Sequence, residues 1–236
     1  MNGADVIERA AIRVALPARL DGPSFARLAA ALRAAMADGD QLVLTGAGAG
    51  VFCTGLDLTQ DSGGIDGARA FAEILTCLWQ APLPTLAVVD GAALGGGMGL
   101  AAACDRIIAT PAATFGLPEM LWGFVPAMVW PVITTRLPAP RARWWILTGR
   151  SRTAAEALAD GFIDEIVPTE KIDAVAATRA RECRRSDRSA IPLLRLLAGP
   201  GVANAIAAGA EITTQRLADP GVQRRIAAFA AGEVPW

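Results

Sequence analysis

The sequence predicts an α/β fold with mainly parallel strands that gives way to a helical last third. Three observations carry this. Short apolar runs alternate with segments of helical periodicity as far as Ala109, the order expected of parallel strands joined by right-handed crossovers. From Pro126 onward the strand-like runs fade and helical patterns follow one another. With 236 residues, 53% of them hydrophobic, the chain is long and apolar enough to bury a sizeable core.

Taken in order, Ile7 to Leu16 reads as a strand, and Pro23 then opens a helix in which Phe25, Leu28, Leu32 and Met36 share one face. Gln41 to Thr45 is a second, compact apolar strand. Glycines 46, 48 and 50 connect it to Val51-Phe52-Cys53-Thr54-Gly55-Leu56-Asp57-Leu58, where a strand runs out into a loop. Phe71, Ile74, Leu75 and Leu78 mark a helix over Ala68 to Gln80, ended by Pro82 and Pro84 before the strand Thr85 to Val89. Gly91 to Gly99 turns the chain into a small-residue helix reaching Ala103, and Arg106 to Ala109 is a further strand. Helices are expected over Ala127–Arg136, Ala142–Leu147, Ala154–Ala159 and Ile172–Arg184. No internal repeat is visible. The organisation expected is a core over residues 1–170 followed by a helical region over 171–236, with no sharp linker between them.

Composition excludes several functions. The formal net charge is −1 and the 22 basic residues are scattered, so there is no footprint for nucleic acid. No apolar stretch reaches the roughly 20 residues needed to span a bilayer, so a soluble protein with no membrane partner is expected. Cys53, Cys77, Cys104 and Cys183 stand at irregular spacings without a secretory leader, which fits buried thiols in a reducing cytoplasm. The chain has no histidine, no C-x-x-C pair and no tyrosine. No metal site is therefore expected, and Ser-His, Cys-His and Tyr-based catalysis are ruled out. Acid–base work falls to Asp, Glu, Cys or the single lysine, Lys171.

Two glycine clusters invite a nucleotide reading and fail it. After Gly46-Ala47-Gly48-Ala49-Gly50 the third glycine of G-x-G-x-x-G would be Val51, and after Gly95 it would be Leu100. No Walker lysine follows either cluster. Gly95-Gly96-Gly97 instead lets the backbone approach a ligand with its N–H groups at the start of a helix, an arrangement that favours an oxyanion, or it permits close helix–sheet packing.

Phe52-Cys53-Thr54-Gly55-Leu56-Asp57-Leu58, the run Pro84 to Gly97, Cys104-Asp105-Arg106 and Phe115-Gly116-Leu117-Pro118-Glu119 closely resemble, in order and spacing, the enoyl-CoA hydratase/isomerase (crotonase) family. Thr148-Gly149-Arg150, Ala154-Ala155-Glu156-Ala157 and Gly161-Phe162-Ile163-Asp164 resemble its downstream segment. The resemblance implies a crotonase-like spiral of ββα units with a C-terminal helical region that trimerises, as a homotrimer or a dimer of trimers. It implies that an acyl-thioester carbonyl sits between the N–H groups of Leu56 and Gly96, with Gly55, Gly95, Gly97, Gly99 and Trp122 around the substrate. Fixed donors aimed at developing enolate charge are worth about 2.7–4 kcal/mol each. No permanently bound cofactor is implied; coenzyme A or the phosphopantetheine of an acyl carrier protein arrives as part of the substrate.

Many hydratases of the family carry two glutamates, but this chain has Gly99 at the first position and keeps only Glu119 at the second. Where other members place a second acid, the chain has Ala127. Glu119 becomes the leading proton shuttle, surrounded by the apolar Met120, Leu121, Trp122, Phe124 and Val125, which would raise its pKa by desolvation. Asp57, Asp61 and Glu73 are the other carboxylates near the first motif. Residues 97–100, 117–127 and 131–133 are similar to methylglutaconyl-CoA hydratases and to polyketide β-branching dehydratases acting on a 3-hydroxy-3-methylglutaryl thioester. Hydration or dehydration leads, enoyl isomerisation or decarboxylation on the same scaffold follows, and a non-catalytic partner protein is the third reading. Trp79, Trp122, Trp130, Trp144 and Trp145 are candidates for the acyl pocket or for the core.

Overall fold

A computed structural model describes residues 11–57, 64–183 and 186–233. Leu58, Asp61, residues 7–10 at the start of the first expected strand and Arg184 at the end of the 172–184 helix lie outside the described residues. The chain begins with β1 (Ala11–Ala15), α1 (Gly22–Asp38), β2 (Gln41–Thr45), β3 (Val51–Cys53) and α2 (Gly64–Trp79). Next come β4 (Thr85–Val89), β5 (Ala92–Leu94), α3 (Gly96–Ala102), β6 (Arg106–Ala109) and β7 (Thr114–Gly116). A 3₁₀ turn, Pro118–Trp122, leads to α4 (Trp130–Ile133), α5 (Ala139–Thr148), β8 (Arg152–Thr153), α6 (Ala154–Ala159) and β9 (Glu165–Ile166). The helices α7 (Ile172–Cys183), α8 (Ile191–Ala198), α9 (Val202–Leu217) and α10 (Pro220–Ala230) complete it.

Two sheets alternate along the chain. One has the order β1-β2-β4-β6-β9 and is parallel throughout; the other has the order β3-β5-β7-β8, parallel except for the last pair. The pairs β2–β3, β4–β5 and β6–β7 each give one strand to each sheet before a helix or 3₁₀ turn returns the chain, which is the expected spiral of ββα units. β4 is buried at every residue, as a strand covered on both faces must be. The sequence reading missed β5, β7, β8 and β9, which are two or three residues long. The helix expected over Ala127–Arg136 is only the single turn α4, because Pro126 and Pro131 bracket its start.

α1 begins at an Asp21–Ser24 capping box, with the Ser24 N–H donating to Asp21 Oδ1 at 2.8 Å. The core lies between α1, α2 and α3 and the sheets, with Phe25, Leu28, Phe52, Phe71, Leu75 and Met98 among its buried members. α7 packs on the opposite face of the larger sheet, where Ile172 and Ala176 join Val43, Leu86, Val88 and Ile108.

α8 is pinned from within. Arg195 is buried, and its guanidinium donates to the carbonyls of Leu78, Trp79 and Leu83 and to Asp105 Oδ2 at 2.5 Å. Its neighbours Leu193, Leu194, Leu196 and Leu197 are 62–80% exposed. Among the described residues no single helix is long and apolar enough to cross a membrane.

Candidate active site

The two motifs singled out in the sequence meet where β3 and β5 end side by side. Gly55 adopts φ +82° and Gly95 φ +51°, left-handed values that L side chains rarely take. A Cβ on Gly55 would stand 2.8 Å from the Gly96 nitrogen, so the two turns touch backbone to backbone. Leu56 forms an isolated parallel bridge with Leu20: the Leu20 N–H donates to the Gly55 carbonyl at 2.8 Å and the Asp57 N–H to the Leu20 carbonyl at 2.9 Å. Alternation along the strand turns the Leu56 N–H the other way. Gly96 is the first residue of α3, whose opening N–H groups have no partner within the helix. Among the described residues neither the Leu56 nor the Gly96 N–H donates a hydrogen bond. Both residues line one cavity of about 250 Å³.

Glu119 lines the same cavity, carried by the 3₁₀ turn that Pro118 opens and Gly123 (φ +80°) closes. A Cβ on Gly95 would stand 3.0 Å from Glu119 Oε1, so the bare glycine leaves that oxygen room beside the Gly95–Gly96 turn. The other oxygen, Oε2, is buried with no hydrogen-bond partner among the described residues. Burial pushes the carboxyl pKa up to about 7, opposed only in part by the residue's own backbone N–H. A group half-protonated near neutrality can both take and return a proton.

The remaining candidates separate. Trp122 lines the cavity; its indole nitrogen is buried without a partner among the described residues, and its ring centroid lies 5.1 Å from that of Phe229. Gly55, Gly97 and Gly99, expected around the substrate, are not on the cavity wall and allow close packing instead. A Cβ on Gly97 would stand 1.9 Å from the Cys53 carbonyl oxygen, and one on Gly99 2.2 Å from Val129 Cγ1. Asp57 lines the cavity, with Arg19 3.7 Å away, whereas Glu73 faces a separate groove between α1 and α2. Of the other tryptophans, Trp145 is buried and donates to Asp160 Oδ2 at 2.8 Å, Trp79 and Trp130 pack on the core, and Trp144 is exposed.

The sequence reading missed the far wall. Thr213 and Leu217 of α9 and Phe229 of α10 close the cavity, and Arg216 ties α9 to the turn bearing Glu119 by donating to the Gly123 carbonyl at 2.9 Å. The four cysteines are free thiols. Cys53 and Cys104 are buried and their pKa values are pushed up to about 11 and about 12, so neither is a nucleophile. Among the described residues no group of three or more His, Cys, Asp or Glu is placed to hold a metal ion.

Comparison with known proteins agrees with this geometry. Residues 23–224 match the family described as enoyl-CoA hydratase/isomerase. A Bacillus subtilis protein named as an enoyl-CoA hydratase/isomerase, YngF, is 36% identical over 134 residues, covering 53% of this chain and 50% of that protein. The chain thus matches about half the length of that relative. An enoyl-CoA hydratase from Mycobacterium avium superposes with a TM-score of 0.81 at 26% identity, covering 94% of this chain and 92% of that one. The Bacillus subtilis structure named as a polyketide biosynthesis enoyl-CoA hydratase, pksH, gives a TM-score of 0.83 over 94% of each chain; at 21% identity it shows a shared fold. With most of its length matched by the family model, and with two free N–H groups and a buried carboxyl meeting at one cavity, the chain belongs to the enoyl-CoA hydratase/isomerase family.

Proposed function

We propose that the protein is an acyl-thioester hydratase or dehydratase that works through an enolate held by the N–H groups of Leu56 and Gly96, with Glu119 as its one acid–base group. The observation that carries this is Glu119: a buried carboxyl with a pKa of about 7 on the wall of the cavity that holds both free N–H groups. The thioester carbonyl accepts from the two N–H groups, which lowers the energy of the negative charge that reaches its oxygen when the α-carbon loses or gains a proton. In dehydration the Glu119 carboxylate takes the α-proton, the electron pair moves into the enolate, and the same carboxyl gives the proton to the departing β-hydroxyl. Hydration is the reverse. Glu119 starts and ends as carboxylate in both directions.

The lack of a second carboxylate at positions 99 and 127 supports a single-shuttle mechanism, and it is equally compatible with moving a double bond by one proton transfer between carbons. The carrier is coenzyme A or an acyl carrier protein. A 3-hydroxy-3-methylglutaryl thioester would bring a free carboxylate, and the one cation lining the cavity among the described residues, Arg19, already faces Asp57. The exposed leucine face of α8 supports self-association, as a homotrimer or a dimer of trimers.

A panel of enoyl and 3-hydroxyacyl thioesters followed by mass tests the reading. Gain or loss of about 18 Da that disappears in Glu119→Gln is the expected result. Loss of about 44 Da surviving in that variant would replace it with decarboxylation.

A further inference from the structure

Leu56 and Gly96 fix the thioester end of a bound substrate, and Glu119 fixes where its α- and β-carbons lie. The rest of the acyl chain must continue along the wall beyond Glu119. Trp122, three residues on in the same turn, is that wall, and the Phe229 ring lies against it with centroids 5.1 Å apart and planes tilted by 56°. Phe229 is 37% exposed while also lining the cavity, so its ring stands between the cavity and solvent. The helix that carries it is lightly held: Val222 is the only buried residue of α10.

The same wall is uncharged. Among the described residues the ionisable groups lining the cavity are Arg19, Asp57 and Glu119, and the first two face each other at 3.7 Å. A carboxylate at the end of the acyl chain would give up its water here for apolar neighbours, and among the described residues the lining holds no cation free to replace it; Arg216 and Arg225 stand outside the lining, against Gly123.

We propose that Phe229, resting on Trp122, is the stop that sets acyl length, so that the site takes short, uncharged acyl thioesters. The idea rests on the thioester reading above and adds the residue that selects among thioesters. A chain of a few carbons ends inside the cavity of about 250 Å³. A longer one has to displace the Phe229 ring and the end of α10 with it.

Affinity tests this without turnover. Butyryl-, decanoyl- and glutaryl-CoA are titrated calorimetrically against the wild-type protein, Phe229→Ala and Phe229→Leu. Butyryl-CoA is expected to bind wild type at least about tenfold more tightly than decanoyl-CoA or the carboxylate-bearing glutaryl-CoA. Phe229→Ala is expected to raise the decanoyl-to-butyryl affinity ratio by about tenfold, and Phe229→Leu by less. An unchanged ratio, an equal loss for both ligands, or glutaryl-CoA binding as tightly as butyryl-CoA would overturn the proposal. Length selection that depends on Phe229 in a protein that turns over no thioester would instead sink hydration chemistry and leave the stop standing. Turnover with no Phe229-dependent length selection would do the reverse.

Discussion

Val129 occupies the space that any side chain at position 99 would need: a Cβ on Gly99 would stand 2.2 Å from Val129 Cγ1 and 2.8 Å from its Cβ. Both residues are buried, and α4, which follows Val129, packs against α3. The position that holds a glutamate in two-glutamate hydratases is therefore closed by packing as well as lacking the carboxyl. Gly99→Ala should cost about 1–3 kcal/mol of stability through overpacking, read as a lower denaturation midpoint at constant slope. Gly99→Glu should lose stability further and gain no hydratase activity. Wild-type stability in Gly99→Ala would mean that Val129 moves aside freely.

Glu119 is predicted to carry the chemistry. Glu119→Gln should lower kcat by about 10²–10⁴-fold while the far-ultraviolet circular dichroism stays unchanged. Full activity in this variant would remove the residue from the mechanism.

That same variant should be more stable than wild type, in a pH-dependent way. The folded protein keeps the Glu119 proton up to about pH 7, whereas the unfolded chain releases it near the ordinary glutamate value of 4.5. Stability linked to this group is present below that lower value and is lost as pH rises through about 7. Above that pH the charged carboxylate is buried without a partner, and Glu119→Gln should gain up to roughly 3 kcal/mol over wild type. Urea melts at about pH 5 and pH 8 compare the two, and a stability difference that does not grow with pH would count against a raised pKa.

Activity should follow the same titration. Because the reaction begins from carboxylate in either direction, kcat/KM is expected to rise with pH, with its midpoint at about 7, and then level off. A profile already flat at pH 5 would show that the carboxyl ionises normally.

The C-terminal helices depend on one buried cation. Arg195→Leu removes one donor from Asp105, which keeps those of Thr85, and from three backbone carbonyls, at a predicted cost of about 1–3 kcal/mol. Thermal unfolding measures it. A loss under about 1 kcal/mol would show that the leucines of α8, not Arg195, hold the helix in place.

The sequence showed what periodicity and motif can show. Phe25, Leu28 and Leu32 announced α1, the unbroken apolar runs of β2 and β4 announced buried strands, and Gly55 and Gly96 stood out before their turns were seen to touch. The short strands of the second sheet were hidden because two or three residues carry no period. Gly97 and Gly99 were grouped with their neighbours because a glycine needed for packing against Cys53 or Val129 looks, in sequence, like one that admits a ligand. Phe229 was invisible as a site residue, since only the fold of α9 and α10 brings it back more than a hundred residues onto Trp122. Asp219-Pro220 opens α10, with the aspartate side chain accepting from the Gly221 and Val222 N–H groups; the sequence reading did not use this start signal, and a helix start says nothing of what the helix covers.

The central claim is that Leu56, Gly96 and Glu119 form and hold an enolate, whichever reaction follows. Exchange of the α-hydrogens of saturated butyryl-CoA into deuterated water, followed by proton NMR, reads that step alone. The wild-type protein should catalyse exchange that rises with pH through about 7 and is lost in Glu119→Gln. Absence of exchange with bound butyryl-CoA, or exchange that persists in Glu119→Gln, would contradict it.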